Sequence, residues 1–275
     1  MDELSKPAGM HTLRLALLGL AALVAIFLGW TYLHQPANAP EAATRQRRTS
    51  PQEFAAMRHA IERSVAETTD YAAFLERVKT AFPAEYEGFL TRAAERAAIS
   101  GDAPSADTLM IAAARDLRSS HGVLAAKADG PALDHYFEAK RAMLDALAAK
   151  NQALCVDFLY GGGNGDFASF SRDHRALLAA MANAGLDAIS DGQIRRVERE
   201  APNDADFHTL ENALRAQGVS NAAIGALLDG KAPNPPLDDS EMCQAGQIFL
   251  QTLAALPDAA RWRIYGFAVE LMAHS

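Results

Sequence analysis

The sequence predicts an all-α body held behind a single membrane-spanning helix. Three observations carry that prediction. Hydrophobic residues make up 49% of the chain and aromatics only 7%, a composition of closely packed helices; sheets draw on more β-branched and aromatic side chains. After residue 50, apolar residues recur at helical spacing almost throughout, and no alternating β-branched run competes. Finally, "LALLGLAALVAIFLGWTYL", Leu15 to Leu33, runs for nineteen residues without a charge.

A helix of that length spans about 28 Å, close to the hydrocarbon thickness of a bilayer. Trp30 and Tyr32 sit at one end, where aromatic rings favour the headgroup level, and Pro36 lies just beyond. A cleaved leader is the rival reading, since "ANA" at 37–39 resembles a cleavage site. Pro40 would then follow the cut, and the apolar run is longer than that of a usual signal peptide. The expected organisation is a tail over 1–14, a transmembrane helix over 15–34, a tether over 35–49 and an all-α domain over 50–275. Lys6, Arg14 and the terminal amine precede the span, while Arg45, Arg47 and Arg48 follow at a distance. The charge rule then leans towards a cytoplasmic N-terminus in a bacterial-type inner membrane, with the domain in the periplasm. Ala21, Ala25 and Gly29 form a small-xxx-small stripe on which a membrane-protein partner could pack.

The elements of the body follow in order. "HQPANAPEAATRQRRTSPQ" has no helical stripe and reads as the tether, and "SPQE" at 50–53 supplies a serine cap, a proline at the first helical position and a glutamate three residues after the cap. Phe54, Met57, Ile61 and Val65 share a face, followed by Phe74, Leu75 and Val78, then by Tyr86, Phe89 and Leu90 behind Pro83. The next helix carries Leu109, Met110, Ala113 and Leu117, with Gly122 expected to stop it. From Pro131, the spacing of Leu133, Phe137, Leu144, Leu147, Leu154 and Phe158 predicts one long helix reaching Tyr160. Beyond the glycines, helices are expected over 167–184, ending at Gly185, and over 191–200 behind "SDGQ". Two more are expected over 207–217 and 221–228, ending at Gly218 and Gly230. "APNPPLDDSEM" breaks the chain, and Asp238, Asp239 and Glu241 place negative charge at the positive end of another helix. Pro257 opens the last, with Trp262, Tyr265, Val269 and Met272 on one face.

Charge excludes one class of partner. Residues 1–50 hold five basic and three acidic side chains, which leaves 21 basic against 31 acidic in the remainder. So acidic a body, with no basic stripe, does not suit nucleic acid. Cys155 and Cys243 are the only cysteines; an oxidising compartment would let them pair, and the alternative is two buried, unpaired thiols.

Motifs for chemistry are few. "CVDFLYGGGNGDF" fits neither a dinucleotide fingerprint, since Asp166 stands where the third glycine belongs, nor a P-loop, nor a calcium nonapeptide, whose aspartate position holds Phe167. It reads as a helix end, with Gly161 left-handed and Asp166 capping the next helix. His-x-x-Glu recurs at His59/Glu62, His135/Glu138 and His208/Glu211. Imidazole and carboxylate both bind metals, but surface ion pairs are the simpler expectation. "FSRDHR" puts Ser171, Asp173 and His174 together, yet hydrolase triads are assembled across a fold, so a polar first helical turn is expected. No catalytic residue, cofactor or metal ligand is assigned. The leading expectation is a non-catalytic, membrane-anchored interaction or assembly module, with the lipid bilayer and a membrane protein as partners. The alternatives are an envelope enzyme, hydrolase-like, assembled from dispersed histidines and carboxylates around His135 or His174, and a helical protein with a small-ligand pocket.

Overall fold

The first helix starts where its capping residues put it. In the computed structural model, which describes residues 50–162, 165–230 and 233–274, the Ser50 hydroxyl accepts from the Glu53 N–H at 3.2 Å, and the Glu53 carboxylate accepts from the Ser50 N–H at 2.8 Å. This reciprocal pair satisfies two donors that the helix itself cannot, and α1 (Pro51–Ala66) follows. Next come α2 (Thr69–Ala81), α3 (Pro83–Ser100), α4 (Ala106–Ala125), α5 (Gly130–Lys150) and α6 (Gln152–Leu159). The chain continues through α7 (Gly165–Asp173), α8 (Arg175–Arg195), α9 (Asp204–Ala216), α10 (Asn221–Asp229), α11 (Asp239–Ala254) and α12 (Asp258–Ala273). No strand occurs among the described residues. The span expected over 15–34, with Ala21, Ala25 and Gly29, lies outside them; within them no helix is long and apolar enough to cross a membrane.

Helices α4, α5 and α8 form the centre: α8 packs on both α4 and α5, and α12 packs on α4 and α5. Helices α1, α2 and α3 pack on one another and lean on α4 and α8, while α11 joins α5, α6, α9 and α10. The predicted apolar faces meet in this centre, where Phe74, Leu109, Met110, Leu133, Leu144, Leu147 and Leu186 are fully buried. Each buried leucine contributes about 1.5–3 kcal/mol relative to an exposed one. Cys155 on α6 and Cys243 on α11 are joined, with Cα atoms 5.7 Å apart and a sequence separation of 88. In the chain-entropy treatment, closing a loop of that length contributes about 4–5 kcal/mol.

Four expectations are corrected. The helix predicted from 131 to 160 is two, because the extended Asn151 (φ −159°) closes α5 with its N–H on the Leu147 carbonyl and opens α6 by accepting from the Leu154 N–H. An asparagine side chain competes with the helical ladder in this way. Conversely, Gly122 and Gly185 do not end helices; both lie inside them. A Cβ on Gly122 would come within 2.8 Å of the Ala273 Cβ, so this glycine lets α4 and α12 approach closely. The predicted helix over 191–200 is absent as well. Instead α8 continues to Arg195, because a Cβ on Gly192 would stand 1.8 Å from the Leu124 carbonyl oxygen, making "SDGQ" a packing contact with α4. The break falls earlier than expected, at His174 between α7 and α8.

Past Arg196, which adopts a left-handed φ of 51°, residues 197–203 form a connecting segment held to the end of α4. The Val197 N–H donates to the Lys127 carbonyl at 2.9 Å. Arg199 donates to the carbonyls of Ala126, at 3.0 Å, and Ala128. Carbonyls at a helix end lack partners of their own, and here an arginine supplies them.

Candidate functional site

The described residues singled out by sequence have mostly local surroundings. Gly161 has φ +79°, its N–H donates to the Phe158 carbonyl at 3.2 Å, and the Gly162 N–H reaches the Asp157 carbonyl at 2.7 Å. These are the two crossed bonds of a Schellman helix end, for which a left-handed glycine is needed. Asp166 falls in the first turn of α7 rather than before it. The exposed His59 meets Glu62 at 3.5 Å, His135 and Glu138 are both exposed, and Glu211 pairs with Arg215 at 2.9 Å. Among the described residues no group of three histidines, cysteines or carboxylates is placed to hold a metal. The buried Ser171 hydroxyl donates back to the Phe167 carbonyl at 2.7 Å. His174 stacks on Phe170, rings 4.0 Å apart, and donates from Nδ1 to its carbonyl. Asp173 is exposed.

The buried carboxylates stand elsewhere, each with an arginine. Asp107, at the start of α4 and 1% exposed, accepts from Arg175 Nε at 2.8 Å and Nη2 at 3.0 Å and from the Tyr71 hydroxyl at 2.8 Å. Burial alone would push this carboxyl up; the Arg175 fork and the Tyr71 hydroxyl outweigh it and hold the carboxyl below its ordinary value. Burial, then the hydrogen bond to Asp107, raises Tyr71. Asp206 likewise takes a two-pronged bond from Arg263, at 2.8 and 2.6 Å, while closing a capping box with Asn203. These pairs tie α4 to α8 and α9 to α12 through bidentate geometry.

A third buried site has no such balance. Between α2, α4, α5, α8 and α12 lies a partly open cavity of about 80 Å³, walled by Phe74, Leu117, Leu186, Ile189, Val269 and Met272. Arg118 and Tyr136 also line it. Arg118 Nε is buried and is the only buried side-chain nitrogen or oxygen among the described residues without a hydrogen-bond partner. Tyr136 rises as burial disfavours its phenolate, against a smaller opposing pull from the Arg118 guanidinium. One turn along α5, burial and then repulsion from Arg118 push Lys140 down to about 8, while its ammonium rests 4.5 Å over the Phe158 ring. Arg118 is thus the one cation lining this largely apolar space, with Lys140 near enough to repel it, and no carboxylate pairs with either among the described residues.

Comparison of the chain with family models, with curated proteins and with solved structures gives no match. The site therefore has to be read from its own geometry.

One further surface stands out. A groove of about 170 Å³ runs between the end of α4, segment 197–203 and α12, lined by Val123, Val197, Pro202 and Phe267. Val123 and Phe267 are each 40% exposed, and Leu271, one turn beyond Phe267, is 56% exposed. Lys127, Glu198, Glu200, Arg263 and Glu270 rim it with charges of both signs.

Sequence reasoning missed both surfaces, although a signal for the cavity was present. The apolar stripe of α5 leaves a seven-residue step from Phe137 to Leu144, and Lys140 fills it. Arg118 stands one turn from Ala114 and one from Gly122, on a face otherwise made of small residues. A cation on a buried stripe is the anomaly to look for.

Proposed function

We propose that this chain is a membrane-tethered interaction module of a bacterial-type envelope. Its helical domain stands on the periplasmic side and docks a membrane-associated protein through the groove between α4, segment 197–203 and α12. The observation that carries the reading is the exposed pair Val123 and Phe267 lining a charge-rimmed groove, with the exposed Leu271 one turn beyond Phe267 on α12. Large apolar side chains clustered at a polar-rimmed groove are characteristic of protein-binding surfaces. The uncharged stretch over 15–33 and the proline-rich tether after it support the anchoring. The Cys155–Cys243 bridge supports an oxidising compartment.

A photo-crosslinking side chain placed at Phe267 in the full chain, expressed in cells, tests the docking. One discrete adduct is expected, lost when Val123 or Leu271 is changed to aspartate and absent when the crosslinker sits at His59 on α1. The same adducts from both positions, or adducts indifferent to the aspartates, contradict it. Proteolysis of spheroplasts tests the location: the domain is expected to be digested, and its survival in intact spheroplasts contradicts a periplasmic placement.

A further inference from the structure

We propose that the cavity between α2, α4, α5, α8 and α12 binds a short-chain monocarboxylate, its carboxylate held by Arg118 and the Tyr136 hydroxyl and its alkyl tail against Leu186, Ile189 and Met272. Each part of the ligand follows from a feature of the wall. The charge follows from Arg118, whose Nε is buried without a partner, beside Lys140, which has an aromatic ring for company but no carboxylate. Arg118 is only partly buried, but a buried donor left without an acceptor is costly, and an anion that brings an acceptor to Nε offsets the cost. A guanidinium presents two parallel donors, which fit the two oxygens of a carboxylate. The Tyr136 hydroxyl makes no hydrogen bond among the described residues and is near enough to Arg118 to feel its charge, so it can supply a third donor.

The tail follows from the remaining wall, which is apolar apart from these groups. Phosphate and sulfate suit it badly: their further oxygens would press on Leu186, Ile189 and Val269, and stripping water from a dianion costs more than from a carboxylate. Size limits the chain length. The cavity's 80 Å³ is about half the 150 Å³ that accommodates the six heavy atoms of benzene, so it encloses roughly three heavy atoms. Acetate or propionate, with four or five, fits if the remainder occupies the open mouth. The glycines serve the same end: a Cβ on Gly185 would sit 3.4 Å from the Tyr136 ring, and Gly122 brings α12 against α4 beside Arg118. The inference stands apart from the docking groove, and either can fail without the other.

Sodium propionate titrated calorimetrically into the full chain in detergent micelles tests it, with sodium chloride matching ionic strength. Saturable one-to-one binding is expected, with a Kd between about 10 μM and a few mM for so small a ligand. Propionamide, equal in shape but neutral, is expected not to bind. Arg118→Met is expected to weaken binding by roughly tenfold or more, and Tyr136→Phe by about threefold, the losses of a charged and of a neutral hydrogen bond. Should Arg118→Met fail to fold, Arg118→Lys keeps the charge without the fork and is expected to lose about tenfold. Absence of saturation by about 50 mM, equal binding of propionamide, displacement by phosphate at equal concentration, or undiminished affinity in the Arg118 variants each overturns the proposal.

Discussion

Asp107 and Arg118 lie on one helix, α4, and on nearly the same face, yet burial treats them in opposite ways. Asp107 has every requirement of a buried charge met by Arg175 and Tyr71. Arg118 has an apolar cavity, a neighbouring lysine and no acceptor for Nε. A charge that is buried and satisfied holds helices together; a half-buried charge whose inner nitrogen has no acceptor marks a place where a ligand can supply one. The difference assigns the first site to stability and the second to recognition.

The sharpest way to break that assignment is to remove the carboxylate. Asp107→Asn leaves the Arg175 fork without its anion, and such changes cost about 3–5 kcal/mol when both charges are fully buried. Arg175 is 36% exposed, so solvent screening reduces the expected loss to about 2–3 kcal/mol, a fall in Tm of roughly 4–12 °C at this domain size. A fall under about 2 °C would remove Asp107 from the frame of the fold. Circular dichroism melts of the full chain read it directly.

A smaller effect sharpens the comparison through pH. The folded-state pKa of Asp107 lies below its ordinary value of 3.8. Its contribution to stability is therefore complete above the unfolded value and is lost as pH falls from there through the lower folded value. The gap in Tm between the native chain and Asp107→Asn is expected to be constant from about pH 7 to 5 and to narrow below about pH 4. A gap that holds its width to the acid end would mean that the carboxyl is not stabilised by its ionised form.

The sequence made the fold class and most helical faces legible, because apolar periodicity records burial directly. Glycines were read less well. Gly218 and Gly230 end helices at positive φ as expected, whereas Gly122 and Gly192 sit mid-helix where another chain segment comes too near for a Cβ. In one dimension a stop and a close approach look alike, since only the neighbour in space separates them. Asn151 and His174 broke helices that their apolar stripes carried straight through, because one cap hydrogen bond or one off-helix residue leaves the stripe intact. The candidate sites depend on partners far apart in the chain: Tyr71 with Asp107 and Arg175, or Arg118 with Tyr136 and Met272. Pairing is a property of the fold, so the sequence could show that Arg118 and Lys140 occupy apolar stripes but not which groups stand opposite them.

The smallest effect tests the central claim most directly, because it turns on a sign. Arg118→Met replaces the unpaired cation with a flexible apolar chain of similar length. Melting the native chain and this variant side by side in ligand-free buffer is predicted to give the variant the higher Tm, by about 2–4 °C for a gain near 1 kcal/mol. A variant that melts lower, as Asp107→Asn is expected to, would mean that Arg118 holds the fold together and that the two sites do not differ in kind.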